Sequence, residues 1–317
     1  MDQYSEKDYV KVAIMYYDEG MTQAEIARKL GVSRSLISKI LIDAKDAKIV
    51  EVFINSQSVY TVKLERALEL KFGLKDAIVV DTESLSDPEI RRKVGRTAAN
   101  YLESYIKKTD TVNKIGISWG ASLKSVVDYF PYLNYPDIYI YPLVGGMGNE
   151  YFYLHSNQLV HELAQKIRAK AHYLYVPAMV STSALKKELE QDLTISSVLE
   201  EAKNVDVALV GIAGINNQNT MSKTGYINAN DIAELKELGV IGDINSHFFD
   251  RYGDEIGYDI NQRVMGLDLN QIKNIPTVVA VAYGHDKVEV IKVSLENQLI
   301  DILVTTDTTA QKILNGN

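Results

Sequence analysis

Residues 21–46, MTQAEIARKLGVSRSLISKILIDAKD, confine this part of the chain to two short helices joined by a tight turn. Thr22 followed three residues on by Glu25 is a capping box, so one helix begins there. Gln23, Ile26, Ala27 and Leu30 share a face, and Gly31 supplies the left-handed backbone that stops the helix sharply. Ser33 caps a second helix whose Ile37, Ile40, Leu41 and Ala44 recur at i, i+3, i+4 and i+7 as a core stripe. Small Ala27 lets the two helices cross closely. The outer face of the second helix carries Arg34, Ser35, Ser38, Lys39 and Ile42. Hydrogen-bonding side chains on the N-terminal half of such a face suit a recognition helix in the major groove. The candidate DNA contacts are therefore Thr22, Gln23, Arg34, Ser35, Ser38 and Lys39, with Arg34 and Lys39 contributing most. A plain amphipathic hairpin would explain the stripes, but not the cap, the turn and the polar outer face together.

Charge supports this locally. Residues 21–48 hold Arg28, Lys29, Arg34, Lys39, Lys45 and Lys48 against Glu25, Asp43 and Asp46, while the whole chain has a net charge of −8. An acidic body does not attract DNA from a distance, so binding rests on a small basic stripe. Two such stripes in one oligomer add avidity. Before the motif, Tyr9–Tyr17 predicts a supporting helix with Val10, Ala13, Ile14 and Tyr17 on one face; after it, Ile49–Ile54 alternates like a short strand, a possible wing.

At 317 residues the chain needs a second domain of about 250 residues, enough for one sizeable core. No apolar run reaches the roughly 20 residues of a membrane helix, and the charged start MDQYSEKDYVK is no signal-peptide core. Zero cysteines exclude disulfides, thiolate catalysis and Cys-ligated zinc, and fit a cytoplasmic protein. The expected division is a helix-turn-helix domain at 1–55 and a second domain at 56–317, with 56–73 as linker and helix. Asn55–Tyr60 forms the polar joint, and a helix over Val62–Phe72 ends at Gly73.

From Ala77 onward, apolar strands alternate with helices. Strands are expected at Ala77–Val80, Lys114–Ser118, Ile138–Leu143, His172–Val176, Val205–Ile212, Val240–Ile244, Thr277–Tyr283 and Ile300–Thr305. Helices are expected at Glu89–Lys107, Ala121–Tyr129, Ser156–Ala169, Ile195–Lys203, Ala229–Leu238, Lys287–Asn297 and Thr308–Leu314. The fold class is α/β: an N-terminal helix-turn-helix and a C-terminal open, mostly parallel sheet covered on both faces. Ligands of such sheets bind at the carboxyl ends of the strands. Glycines cluster there, in Gly116–Gly120, Leu143–Gly148, Val210–Gly214, Gly242–Asp243 and Gly284–Lys287. Any one of these loops is an ordinary turn. Several on one edge, beside free helix N-termini, suggest a phosphate or polyol pocket. Lys287 stands in the first turn of a helix, where a cation opposes the dipole unless an anion lies alongside, although Asp286 or Glu289 could also neutralise it. Arg263 is a second candidate cation.

The ordered set of helix-turn-helix, GISWG, LVGGMG, His155-Ser-Asn157, VALVGIAG, GDINSHFFD, NQRVMGL, GHDK and IDILVTTDTTA resembles the SorC family of sugar-responsive transcriptional regulators over nearly the whole chain. The resemblance implies an effector domain related to sugar-phosphate isomerases and deaminases, tetramers built as dimers of dimers, and operator DNA and a sugar or sugar phosphate as partners. No cofactor and no metal are expected. Carried over position by position, the effector contacts are Ser118, Trp119, Gly120, Ala121, Ser122, Gly145, Gly146, Asn157, Gly211, Gly214, Asp243, Arg263 and Lys287. Members related to the deoxyribonucleoside regulator that capture their sugar as a Schiff base carry a lysine immediately before the paired glycines. Val144 occupies that place here, which argues against covalent capture; the SWG loop and the paired glycines look most like the sorbose-type branch.

The alternative is a sugar-phosphate isomerase or deaminase with an appended DNA-binding domain. Its support is thin: His155, His161, His172, His247 and His285 form no metal-ligand pattern. His155 could act as a base, but Asp250-Arg-Tyr-Gly253 reads as a turn rather than half of a carboxylate pair with Asp243. The tyrosines near 129–153 are assigned to packing before sugar stacking. A purely architectural DNA binder would not need so large a glycine-edged domain.

Overall fold

The structure, a computed structural model, describes residues 4–50, 56, 58–109, 111–146, 151–216, 220–255 and 259–316. It divides into two compact units, Met1–Val59 and Tyr60–Asn317.

The smaller unit holds α1 (Glu6–Ala13), a π-turn over Ile14–Asp18, α2 (Gln23–Leu30) and α3 (Arg34–Asp46). Its core is Tyr9, Val12, Met15, Ile26, Ile37 and Leu41, among others. This corrects the face expected for the first helix: Ala13 is buried as expected, but Val10, Ile14 and Tyr17 point to solvent. The stretch is apolar on two sides, so period alone does not choose between them. The wider turn at Ile14–Asp18 accompanies burial of Met15, and Tyr9 and Val12 complete the buried side. The expected wing falls largely on residues 51–55, outside the described residues, as does most of the joint that follows.

In the larger unit, α4 (Val59–Phe72) leads into β1 (Asp76–Val80), α5 (Asp87–Lys108), β2 (Lys114–Ile117), α6 (Ala121–Tyr129), β3 (Tyr139–Pro142), α7 (Ser156–Ile167) and β4 (Lys170–Ala171). Then come α8 (Ser183–Glu190), α9 (Leu193–Lys203), β5 (Val207–Gly214), α10 (Thr220–Lys223), α11 (Ala229–Glu237), β6 (Val240–Ile244) and β7 (His247–Asp250). The chain closes with α12 (Leu269–Lys273), β8 (Thr277–Val281), α13 (Val288–Glu296), β9 (Ile302–Thr306) and α14 (Asp307–Asn315).

The sheet runs β1-β9-β8-β5-β2-β3-β4, with all of these strands parallel. Leu68 of α4, Leu295 of α13 and Ile313 of α14 belong to one large apolar cluster, and Leu102 of α5, Leu123 of α6 and Leu159 of α7 to another. Sheet residues divide between the two clusters, Ala208 and Val210 in the first and Val207 and Leu209 in the second, as expected of a sheet covered on both faces. Successive strands β2, β3 and β4 step one way while β5 lies on the other side of β2. A crevice therefore opens between the carboxyl ends of β2 and β5, the place where such sheets take ligands.

Three expectations change. His172–Val176 is not a strand; the edge strand is the shorter β4, one step earlier. His172 N donates to Ile140 O, and the next β3 residue facing that edge is Pro142, which has no N–H to offer, so pairing stops. Strand β6 is not a parallel member of the sheet. It forms an antiparallel hairpin with β7, which was not anticipated, and pairs with the overhanging end of β5. Finally, α8, α10 and α12 were not anticipated, while Asp250 ends β7 in the expected turn, its Oδ1 accepting from Tyr252 N at 2.8 Å.

Candidate functional site

On the smaller unit the helix ends are made as the sequence demands. Thr22 N and Oγ1 each donate to Glu25 Oε2 at 2.8 Å, while Glu25 N donates back to Thr22 Oγ1 at 3.3 Å. Those bonds hold the Glu25 carboxyl below its usual pKa. Gly31 has φ 69°, and Ser33 Oγ accepts Leu36 N at 3.2 Å. Buried Ile37, Ile40, Leu41 and Ala44 fix the rotation of α3, leaving Arg34, Ser35 and Lys39 exposed and Ser38 half-buried. Thr22 spends its hydroxyl on the cap and Gln23 is half-buried, so free reading groups concentrate on α3.

On the larger unit, a cavity of about 90 Å³ lies at the β2–β5 crevice. A water needs only roughly 10–15 Å³ on this measure, so the space suits a small polar molecule. Ser118, Trp119, Gly120, Ala121, Ser122, Gly211, Asp243 and Lys287 line it, as expected. Ile212, Ala213, Thr220, Met221 and Asn245 join them. Ser118 Oγ donates to Asn245 Oδ1 at 2.7 Å; Asn245 Nδ2 donates to Leu143 O and Leu267 O at 3.0 and 2.9 Å. Trp119 Nε1 donates to Ser246 Oγ at 2.9 Å. Gly120, at φ 115°, turns the chain into α6, whose first amides have no carbonyl of their own helix to meet.

Two ionisable groups define the chemistry of the cavity. Asp243 is buried; its Oδ2 accepts Ser246 N at 3.2 Å, while its Oδ1 has no partner. Burial pushes its pKa up to about 7, against the opposing pull of the Ser246 amide and the Lys287 charge. Lys287 keeps some exposure as a residue, yet its ammonium is desolvated, and its pKa falls for that reason, while Asp286 and Asp243 pull it back up. The Asp286 carboxylate is also held by Asn216 Nδ2 at 3.0 Å.

The remaining expected contacts separate. Gly146 and Asn157 line a different cleft, with Phe152, His155, Tyr175 and Pro177. Asn157 ties both backbone groups of Leu174 there, at 3.0 Å each. Gly145 and Gly214 line neither space. An added Cβ on Gly145 would meet Pro177 O at 2.6 Å, and one on Gly214 would meet Asp286 O at 2.9 Å, so each is a close-approach glycine. Arg263 is also outside both linings, its Nε 3.0 Å from Asp259 Oδ2. A second cation felt in the cavity is Arg91 of α5, whose charge adds to the desolvation that lowers Lys287; burial raises the pKa of the half-buried Tyr283 hydroxyl, and Arg91 opposes that rise. Arg91 lines a cleft that meets the cavity at Ala121. Sequence spacing offers no signal for Arg91. Asn245 had one: Asn-Ser between two apolar runs is a hairpin turn, and both residues have positive φ, 53° and 68°.

Residues 56–315 match the family model of a sugar-binding domain, and residues 11–46 match region 4 of sigma-70. The chain belongs to the SorC family. The sorbitol operon regulator of Klebsiella pneumoniae is 28% identical over 307 residues, 96% of each chain. Its full-length crystal structure superposes with a TM-score of 0.75, covering 99% of this chain and 100% of that one at 27% identity. The deoxyribonucleoside regulator of Bacillus subtilis is 26% identical over 315 residues, 99% of each chain. A DeoR family transcriptional regulator from Listeria monocytogenes shares 43% identity with a TM-score of 0.75, over 80% of this chain and 99% of that one. As a SorC family member, the chain is a transcriptional regulator with a DNA-binding helix-turn-helix and a sugar-binding domain. Among the described residues no helix is long and apolar enough to cross a membrane, and no cluster of metal-ligating side chains occurs.

Proposed function

We propose that this regulator controls a carbohydrate-utilisation operon from the cytoplasm and binds a phosphorylated sugar or polyol in the β2–β5 cavity. Its DNA-binding units act in pairs within a tetramer. The observation that carries the ligand reading is the meeting of an unpartnered buried carboxylate oxygen, Asp243 Oδ1, and a desolvated ammonium, Lys287, on one cavity at the start of α6. An anionic group would restore Lys287 to an ordinary charge balance and meet the free amides of α6. Sugar hydroxyls would satisfy Asp243. Ligand occupancy changes operator affinity through a coupling of ~1–3 kcal/mol, or roughly five- to 150-fold.

A thermal-shift panel of hexoses, pentoses and polyols, each free and phosphorylated, tests this reading directly. Selective stabilisation by a phosphorylated member is expected. Stabilisation by free sugars alone removes the phosphate assignment. Steady turnover of the bound sugar phosphate moves the protein to the enzyme class.

A further inference from the structure

One outward-facing residue of α3 breaks the polar character of its face. Ile42 is 56% exposed, more than any other large apolar side chain among the described residues of the smaller unit. It belongs neither to the buried cluster of that unit nor to the apolar residues packed against the cluster. A single exposed isoleucine is ordinary. Its place on the helix is not.

With Arg34 set at zero and about 100° of turn per residue, Ser38, Ile42, Ser35 and Lys39 fall at about 40°, 80°, 100° and 140°. Buried Ile37, Ile40, Leu41 and Ala44 fall between about 240° and 340°. Ile42 therefore stands near the middle of the polar arc and roughly 150° from the centre of the core stripe. One turn further on the arc closes. Lys45 Nζ lies 5.9 Å from the centroid of the Tyr17 ring, and Asp46 is an exposed carboxylate that DNA phosphates repel.

A polar arc with one branched aliphatic group at its centre has a counterpart in DNA. Every base pair offers nitrogen and oxygen groups in the major groove, and the one apolar group there is the C5 methyl of thymine. Against any other edge, Ile42 would strip water from donors or acceptors without replacing their hydrogen bonds.

We propose that Ile42 reads a thymine methyl, and that α3 lies along the major groove rather than entering it by its first turn alone. This rests on the reading that the outer face of α3 meets DNA, and it names the base feature taken at the centre of that face. From Arg34 to Ile42 the helix rises roughly 12 Å. The thymine then lies about three to four base pairs from the base that Arg34 meets.

The full-length protein can select a tight duplex from a random pool, and each thymine of that duplex can be replaced singly by deoxyuridine, which lacks only the methyl. The parent protein should lose about fourfold in affinity at one thymine of each half-site, the worth of one buried methyl group. Ile42→Ala should bind the selected duplex at least about fourfold more weakly and lose nothing further from deoxyuridine at that place. Because Ile42 is exposed, the variant should melt within about 3 °C of the parent. An Ile42→Ala protein that still responds to deoxyuridine, a duplex with no responsive thymine, or equal weakening on selected and scrambled DNA each overturn the assignment. A larger fall in melting temperature also overturns it, since Ile42 would then belong to the packing of the chain. Arg34→Ala tests the face separately. If it weakens binding while Ile42→Ala does not, the methyl contact is wrong and the face stands. If neither variant weakens binding, the outer face of α3 does not read DNA, and both readings fall.

Discussion

Ser118 donates its hydroxyl to Asn245 Oδ1 at 2.7 Å, joining the end of β2 to the turn between β6 and β7. Asn245 passes the connection on to Leu143 O and Leu267 O, so one buried amide at the cavity holds together four stretches of the chain. A buried acceptor left without its donor costs ~1–3 kcal/mol. Asn245→Ala should therefore destabilise the ligand-free protein by about 2 kcal/mol or more, read as a lower urea midpoint. Ser118→Ala removes one bond of the set and should cost nearer 1 kcal/mol. Because the Ser118 hydroxyl is already committed to the frame, that variant should also lose less than about tenfold in ligand affinity, under 1.4 kcal/mol. A larger loss of affinity than of stability would make Ser118 a ligand contact.

Asp243 should leave a pH signature on stability. Its folded pKa, about 7, lies above the unfolded value of 3.8, so the folded chain holds a proton that the unfolded chain releases. Stability from this group is complete below pH 3.8 and is lost as pH rises toward 7, by at most about 1.4 kcal/mol per pH unit. Asp243→Asn removes this slope. Urea unfolding at pH 5, 6, 7 and 8 should show the variant gaining on the parent with each step and then levelling above 7. A constant difference between the two proteins would mean that Asp243 is ionised throughout.

Local chemistry was legible in the sequence, and long-range register was not. The caps at Thr22 and Ser33 and the stop at Gly31 depend on residues at most four apart, and each forms as written. The Ser118–Ser122 loop, Gly211 and Lys287 meet because strand-helix alternation fixes which strand ends share an edge, whereas Asp243 joins them from the antiparallel β6–β7 hairpin. Arg91 could not be read, since its approach depends on how α5 rotates against α6 and β8. Arg263 has the right charge at a plausible edge, but its backbone instead pairs with the Val180 segment, Val180 N donating to Arg263 O at 2.9 Å. His172–Val176 misleads for a related reason. Its alternation comes from burying Leu174 and Val176, and from His172 stacking on Tyr141 at 4.5 Å, without a partner strand.

Lys287 should separate phosphorylated from free ligands. Desolvation lowers the Lys287 pKa against the pull of Asp286 and Asp243, and an anion at the start of α6 would add a further counter-charge. A charge-assisted hydrogen bond is worth roughly twice a neutral one. Lys287→Ala should weaken a sugar phosphate by at least about tenfold more than the matching free sugar in calorimetry, or 1.4 kcal/mol, and leave ligand-free DNA binding near the parent value. Equal weakening of both forms would put the phosphate elsewhere, with Arg91 the next residue to replace.

Arg34 and Lys39 share the outer face of α3 and should fail in different ways. Arg34, the first residue of the helix, is exposed behind a cap built by Ser33, so it stands where recognition helices reach base edges. Lys39, a turn and a half further on, is a flexible point charge suited to phosphate. Arg34→Ala should cost ~1–3 kcal/mol on the cognate operator and less on unrelated DNA, relaxing specificity. Lys39→Ala should weaken all sequences alike and lower the dependence of log affinity on log salt by about one. Neither side chain touches the effector cavity, so both variants should keep the full ligand-induced thermal shift. Anisotropy titrations at two salt concentrations, on operator and on scrambled DNA, separate the two roles. Identical losses from both variants on both DNAs would mean that α3 only grips the backbone and that sequence is read elsewhere.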